Sequence, residues 1–407
     1  MSTARGGKEM KVAYITPRYG PEVIGGAENA VRMLAEALVE HEGASVEVLT
    51  TTALSMATWG NHYEAGASSI NGVTVRRFPV DKTRAPDFLR QSQRHLLTPF
   101  GRTRDESLEY LKLQGPVSEG VLEAVIGSSH DVICFYPYLY HPIVHGILSS
   151  PGPSVLHPAA HDEPALDLPI MAEAFARVDG LAYQTAAERQ VVESRFPVAQ
   201  KPSIDLGMGF RAFGGAVSDV RAKFGLGEDP FLLCLGRVDV PKGSTLLVEL
   251  FSAYSQRNSS SLRLVFAGPV ATALPDAGGV IVTGEVSEQD KWGLLQECLA
   301  LVSPSPLESF AIVLLESWSC AKPVLVNADC EATHEQVMQS GGGLAFDGFE
   351  SFEAAVKRLV ADARAARSMG LAGRAYTRGR YQWPNLISRY RAFLESVISL
   401  RTSREPG

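Results

Sequence analysis

Val302–Ala328, VSPSPLESFAIVLLESWSCAKPVLVNA, decides how the rest of the chain is read. Its apolar run ends in Ser303-Pro304-Ser305-Pro306, where two prolines close a strand because each lacks a ladder donor and fixes φ. Glu308 then falls in a loop. From about Ser309 the residues predict a helix with Ala311, Leu314, Leu315 and Trp318 on its apolar stripe and Glu316 about two turns inside. Pro323 stops that helix before a second apolar strand, Val324–Val326.

Glu308 and Glu316 have seven residues between them, so both can face one cleft at the carboxyl end of a sheet, where open α/β sheets bind ligands. The start of the helix offers free N–H groups at Ser309, Phe310 and Ala311 and a positive dipole end, which suit a phosphate. A carboxylate beside it holds hydroxyls by charge-assisted hydrogen bonds. Phosphate plus hydroxyls describes a nucleotide sugar. On spacing alone a plainer reading stays open, in which Glu308 caps the helix and Glu316 is a solvated or salt-bridged side chain.

The flanks add a resemblance. Pro304-Ser305-Pro306-Leu307-Glu308-Ser309-Phe310-Ala311, Leu315-Glu316-Ser317 and Lys322-Pro323-Val324 together resemble the E-x7-E signature of the retaining, GT-B-fold glycosyltransferases of family 4. That family usually has glycine at the positions of Ala311 and Ala321. A β-carbon at 311 crowds a phosphate approaching the helix start, and Ala321 costs about 1 kcal/mol if a left-handed terminus is needed there.

Composition sets the outer bounds. The 407 residues suffice for two or three domains, and 45% hydrophobic residues build substantial cores. A net charge of −7 does not favour nucleic acid or an anionic membrane as the main partner. The five cysteines form no CxxC pair and sit mostly in apolar runs, as expected of buried thiols in a reducing cytoplasm; a structural zinc site is not expected. The polar MSTARGGKEM does not read as a signal peptide, and no run of about 18 apolar residues predicts a spanning helix, which leaves peripheral attachment open.

Along the chain, a buried strand at 11–16 and an amphipathic helix at 27–40 enclose the loop Gly20–Glu28, whose Gly25 and Gly26 let backbone N–H groups approach a phosphate. Strands at 45–51, 73–78, 131–136, 154–156 and 181–183, with helices at 117–126 and 186–195, argue for a doubly wound parallel sheet. The segment 82–104 breaks the rhythm with Arg90, Arg94, His95 and Arg102 among Phe88, Leu89, Leu96, Leu97 and Phe100; it reads as an amphipathic surface helix or as a cationic segment for acceptor or membrane. Near 203–210 the sequence resets through Leu206-Gly207-Met208-Gly209. A second cycle follows, with strands at 231–236, 262–267, 280–282, 299–302 and 324–326 and helices at 244–254 and 288–296. Helices at 352–368 and 381–400 end the chain, and 401–407 are expected to fray.

Other motifs bear on chemistry. Gly236-Arg237-Val238-Asp239-Val240-Pro241-Lys242-Gly243 puts two cations five positions apart between glycines, able to clamp a diphosphate, and resembles the family's G-R-x-x-x-x-K-G motif. Gly25-Gly26-Ala27-Glu28 resembles its first glycine loop. His161-Asp162 resembles its H-D pair, whose histidine lies near the transferred sugar. Val282–Ser287, with Gly284 and Val286, resembles the turn whose backbone approaches the nucleobase, and Leu206–Gly209 replaces the usual N-G-x-D. His141 and His145 lie beside Tyr136, Tyr138 and Tyr140, which suggest an aromatic rim for acceptor recognition before a metal pair.

The resemblance implies an α/β protein of GT-B architecture, two Rossmann-like doubly wound domains facing a central cleft. The acceptor domain spans 1–205, the donor domain 206–380, and a helix at 381–407 crosses back to the first domain. It implies transfer of a sugar from a UDP- or GDP-sugar to a glycan, lipid-linked or small-molecule acceptor with retention of configuration, without a metal or other cofactor, in the cytoplasm or at the inner membrane face. Arg237 and Lys242 neutralise the leaving diphosphate, Glu308 holds sugar hydroxyls, Glu316 the ribose, and His161 lies beside the anomeric centre. Rival readings are a dehydrogenase, which lacks a clean G-x-G-x-x-G, a sugar-nucleotide epimerase, a phosphorylase of the same fold, and a non-catalytic nucleotide-sugar-binding protein.

Overall fold

A computed structural model describes residues 9–23, 25–98, 102–308 and 310–403. The chain divides into two units, one of Met1–Gly209 with Trp383–Gly407 and one of Phe210–Gln382. In the first, β1 (Lys11–Ile15), α1 (Gly26–Glu42), β2 (Ser45–Thr51), β3 (Gly66–Ile70) and β4 (Val73–Phe78) precede three helices, α2 (Phe88–Leu96), α3 (Arg104–Gln114) and α4 (Glu119–Ile126). Next come β5 (Val132–Phe135), α5 (His141–Ser149), β6 (Ser154–Leu156), α6 (Pro169–Arg177), β7 (Gly180–Tyr183), α7 (Ala186–Arg195) and β8 (Ser203–Asp205). The order is β3-β4-β2-β1-β5-β6-β7-β8, parallel except for β3.

The second unit opens with α8 (Val220–Lys223), β9 (Phe231–Leu235), α9 (Ser244–Arg257), β10 (Arg263–Ala267), β11 (Val280–Val282), α10 (Glu288–Glu297) and β12 (Ala300–Ser303). It continues with α11 (Ile312–Ser319), β13 (Val324–Asn327), α12 (Glu331–Ser340), β14 (Gly343–Phe346), α13 (Phe349–Ala361) and α14 (Ala363–Arg380). Its parallel sheet runs β11-β10-β9-β12-β13-β14. Strand order therefore reverses between β1 and β5 in one unit and between β9 and β12 in the other. The loops after β9 and β12 thus leave the same switch point, where this topology opens a crevice.

Helix α15 (Trp383–Thr402) belongs to the first unit and packs on α1, β6 and β8. Tyr390 anchors it: its hydroxyl lies 2.8 Å from His157 Nε2, 3.1 Å from the Tyr14 hydroxyl and 3.4 Å from Cys134 Sγ. All four residues are buried, and hydrogen bonding offsets the cost of desolvating them. Gly209 lies against the Trp383 ring where a β-carbon would collide, so the chain connecting the units needs glycine there.

Several boundaries move. Segment 82–104 is not one helix: α2 ends at Leu96, and a capping box at Thr103 starts α3. Its Phe100 lies outside the described residues. The helix expected over 352–368 breaks at Asp362, which caps α14 through Ala365 N–H. Antiparallel β3 joins β4 through Asn71 and Gly72, both at positive φ (49° and 84°), the geometry of a tight Asn-Gly hairpin. The helix after Glu308 starts at Ile312, making Glu316 its fifth residue, one turn inside.

Helix α11 ends in a Schellman motif: Lys322 N–H donates to Ser317 O (3.1 Å) and Ala321 N–H to Trp318 O (2.8 Å), with Ala321 at φ 55°. Gly370 and Gly373 of α14 lie against the Ala321 carbonyl and the Trp318 ring, and a β-carbon at either would overlap. Ala321→Gly is expected to stabilise the protein by about 0.5–1 kcal/mol, whereas Gly370→Ala destabilises it by about 1–3 kcal/mol. Thermal unfolding reads both. A fall in Tm for Ala321→Gly contradicts the left-handed terminus.

Candidate functional site

The loop after β9 is shaped by glycines. Gly236 and Gly243 have φ of 120° and 75°, and a β-carbon on Gly243 would stand 2.5 Å from Pro304 O in the loop after β12. Buried Asp239 organises the turn: Oδ1 accepts the Lys242 N–H at 2.8 Å, Oδ2 contacts Arg237 Nε, and its own N–H donates to Ser244 Oγ at 3.2 Å. The Arg237 side chain remains 55% exposed. Lys242 Nζ reaches across to Glu308 Oε1 at 2.6 Å. Lys242 is thus ion-paired to Glu308, and Asp239 ties Arg237 to the Lys242 backbone in the same turn.

Glu308 does not cap α11; Ala311 holds that position, left-handed at φ 57°. Ser309 lies outside the described residues. Phe310 is buried, edge-on to Tyr381 at 5.3 Å, and its carbonyl accepts from Gln336 Nε2. Glu316 is salt-bridged, Oε1 to Lys291 Nζ at 2.9 Å, with side-chain exposures of 12% and 22%. Burial pushes its carboxyl up, and the Lys291 ammonium opposes that. Lys291 also contacts Glu288 at 2.9 Å. Glu308 and Glu316 therefore pair with different lysines. Gly284 (φ 71°) accepts the Gly268 N–H at 2.8 Å, and Val286 follows two residues on, just before the Ser287 capping box of α10.

In the first unit Gly25 precedes α1 and Gly26 is its first residue, with open space where a β-carbon would stand. Buried Arg18 meets Glu28 in the first turn of α1 (Nε to Oε1, 3.0 Å) and donates to Leu54 O at 2.8 Å. His161 is half-buried in the loop after β6; its neighbour Asp162 is exposed and paired with Arg195. Buried Glu188 braces this loop, accepting Ala160 N–H at 2.9 Å and Gln184 N–H at 2.6 Å. Burial pushes its carboxyl up to about 7, and the backbone donors pull the other way.

The expected aromatic rim is not formed. Tyr136 and Tyr138 are buried, the first accepting from Gln184 Nε2 and the second donating to Glu163 Oε1 at 2.9 Å. Their place just after the end of central strand β5 draws them into the core. The His141 and His145 rings lie 4.1 Å apart on α5, tilted by 32°, and burial lowers the pKa of both, to about 3 for His141. His157 is likewise held down to about 3 by burial and stacks on Tyr136 at 5.3 Å. It lines, with Met33, Gln184 and Trp383, a small pocket that does not include His161.

Asp239, Lys291, Arg18 and Glu188 were missed by the sequence reading. Asp239 stands inside the quoted cation motif, and Thr185-x-x-Glu188 has the spacing of a helix cap. Lys291 and Arg18 meet partners 25 and 10 residues away and leave no local signal.

Lys291→Met leaves Glu316 buried without its cation and is expected to destabilise the protein by about 3 kcal/mol; Glu316→Gln in the same chain recovers most of that. A carboxyl raised by burial adds stability below its ordinary range and loses it as pH rises. The Lys291→Met deficit is therefore larger at pH 8 than at pH 5 in denaturant titrations. An equal deficit at both contradicts the pairing.

Residues 218–376 match the family model described as glycosyl transferases group 1. The chain is 27% identical over 241 residues to the GDP-mannose-dependent alpha-(1-6)-phosphatidylinositol monomannoside mannosyltransferase of Mycolicibacterium smegmatis, covering 53% of this chain and 63% of that protein. It is 29% identical over 213 residues to the D-inositol 3-phosphate glycosyltransferase of Segniliparus rotundus, 47% of this chain and 46% of that protein. The matches thus span less than two thirds of these relatives. Among solved structures, sucrose-phosphate synthase from Thermosynechococcus elongatus superposes with a TM-score of 0.68 at 18% identity, covering 96% of this chain and 100% of that one. Anabaena Alr3699/HepE in complex with UDP and glucose gives 0.67 at 14%, covering 95% and 100%. The chain has the GT-B fold, two Rossmann-like units, and its second unit carries the sequence pattern of the group 1 glycosyl transferases.

Proposed function

We propose that this chain is a retaining glycosyltransferase that takes a sugar from a nucleotide diphosphate donor and passes it to an acceptor hydroxyl. The observation that carries the reading is the Lys242–Glu308 contact of 2.6 Å beside Arg237 in the switch-point crevice of the second unit. A cation and a hydroxyl-binding carboxylate side by side suit the phosphate and sugar of one donor. In this reading Arg237 and Lys242 neutralise the leaving diphosphate, with backbone N–H groups at the Ala311 turn and Gly26 assisting. Glu308 holds sugar hydroxyls, Glu316 holds the ribose through the oxygen Lys291 does not use, and the Gly284–Val286 backbone meets the base. His161 lies beside the anomeric carbon.

The departing phosphate accepts the acceptor's proton on the same face, which gives retention without a protein base. Two fixed cations supply the charge a metal would otherwise bring. Because the relatives include an enzyme named for GDP-mannose and a neighbour is bound to UDP, both bases belong in the first test. A non-catalytic nucleotide-sugar binder is the second reading, favoured by the β-carbon of Ala311 in the turn that enters α11.

Calorimetry with UDP, GDP and ADP is expected to show one tight nucleotide, weakened at least tenfold in Arg237→Ala and Glu316→Ala. Turnover with the matching sugar donor should fall by about 2–4 kcal/mol of transition-state stabilisation in Arg237→Ala or Lys242→Ala. Near-normal turnover in either removes the assignment, and binding without donor hydrolysis or transfer favours the binder.

We also propose peripheral attachment to an anionic bilayer through α2 and its C-cap, where Leu89 and Leu97 are 78% and 80% exposed beside Arg90 and Arg94. Arg90 also pairs with Asp87 at 2.8 Å. Co-sedimentation should require anionic lipid and drop in Leu89→Ser/Leu97→Ser; indifference to both counts against it.

A further inference from the structure

The loop between β6 and α6 carries His161, yet nothing in its sequence fixes where that imidazole stands. Ala159 sits at φ 51°, a left-handed conformation that costs an alanine about 1–2 kcal/mol. Such a residue keeps its conformation only when its surroundings over-determine it. Tyr138 N–H holds the Pro158 carbonyl just before Ala159 at 2.9 Å, and one side chain holds the N–H just after it. Glu188, the third residue of α7, starts from an ordinary helix cap in which Thr185 Oγ1 accepts its N–H at 3.1 Å. Its carboxylate then leaves the helix: Oε2 takes the Gln184 N–H at 2.6 Å and Oε1 takes the Ala160 N–H at 2.9 Å. Ala160 is the residue before His161. The buried carboxylate thus clamps the loop after β6 to the turn after β7.

We propose that Glu188 is a positioning residue that fixes His161 for transfer by holding the Ala159–Ala160 backbone in place; this rests on the reading of His161 given above. The two hydrogen bonds are charge-assisted, and no water competes for them at this depth. The cost of burying a carboxylate is offset by those donors, an expensive arrangement if the loop needed only to be covered.

The test uses the full chain with GDP-mannose and UDP-glucose as donors. It compares Glu188→Gln, His161→Ala and the double variant, reading kcat, donor KM, GDP and UDP affinity, and Tm. Glu188→Gln keeps the shape but turns an amide N–H₂ toward one of the two backbone donors. It is expected to lower kcat about 30- to 100-fold, the scale of a misplacement of about 1 Å. Donor KM and nucleotide affinity should stay within twofold, because the donor loops lie in the other unit. In the His161→Ala background the same change should cost less than threefold, since the group it positions is gone.

A kcat within threefold of the parent for Glu188→Gln, with His161→Ala slow, overturns the Glu188 proposal alone. An equal Glu188→Gln loss with and without His161 also overturns it and leaves a general structural role. Normal turnover in His161→Ala overturns the reading of His161, and this proposal with it. Should Glu188→Gln fail to fold, Ala159→Val tests the same constraint, because a β-branched residue tolerates positive φ poorly. It should lower kcat with donor KM unchanged, and normal kcat is again the overturning result.

Discussion

Gly243 approaches the carbonyl of Pro304 so closely that any β-carbon would have to displace it, and the meeting of the loops after β9 and β12 depends on that contact. The loops after β9 and β12 are brought together by strand order, but only to the width of a crevice. Closing the last few ångströms needs a glycine on one side and a proline-stiffened backbone on the other. Lys242, the residue before Gly243, is then placed to reach Glu308, four residues past Pro304. Asp239 holds the first loop from inside, so that Arg237 and Lys242 leave one turn anchored on a single carboxylate.

That anchoring explains how so many charges coexist. Arg237, Lys242 and Lys291 are each matched to a carboxylate in the free protein. Pairing lowers the cost of holding cations at a partly dry surface and keeps their side chains from wandering. The pairs differ in depth. The exposed Arg237 gains little from Asp239, whereas Glu316 is buried and needs Lys291.

The fold was legible because its strands are short apolar runs bounded by glycine and proline, and parallel strands buried on both faces read that way. Exposed β3 was not, since Gly66-Ala-Ser-Ser-Ile70 has neither a run nor alternation; only Asn71-Gly72 betrayed the hairpin. In the candidate site, motif residues with local spacing such as Arg237, Lys242 and Glu308 could be named. Asp239 and Lys291 could not, because their importance lies in what they touch. The tyrosines at 136–140 misled for a related reason. Aromatic residues just past a strand end look like a rim in one dimension, but after central β5 Tyr136 and Tyr138 turn into the core and Tyr140 is half-buried.

Among the described residues three alanines hold left-handed conformations, at 159, 311 and 321, and each is strained where glycine would not be. Ala321 sits under α14, where Gly370 and Gly373 removed their β-carbons so that the helices could touch; the strain there belongs to packing. Ala311 and Ala159 stand elsewhere, one at the entry to α11 and one two residues before His161. At both, a neighbour supplies what the backbone lacks. Gln336 holds the Phe310 carbonyl just before Ala311, and Glu188 holds the N–H just after Ala159. A glycine would relieve the strain at each turn and also free it to open, since the left-handed state is then only one of several it can visit. An alanine braced from outside has fewer conformations to visit, and the groups at its ends are fixed more narrowly. Alanine's cost at 321 therefore belongs to helix packing, whereas at 159 and 311 it accompanies backbone groups held by Glu188 and Gln336.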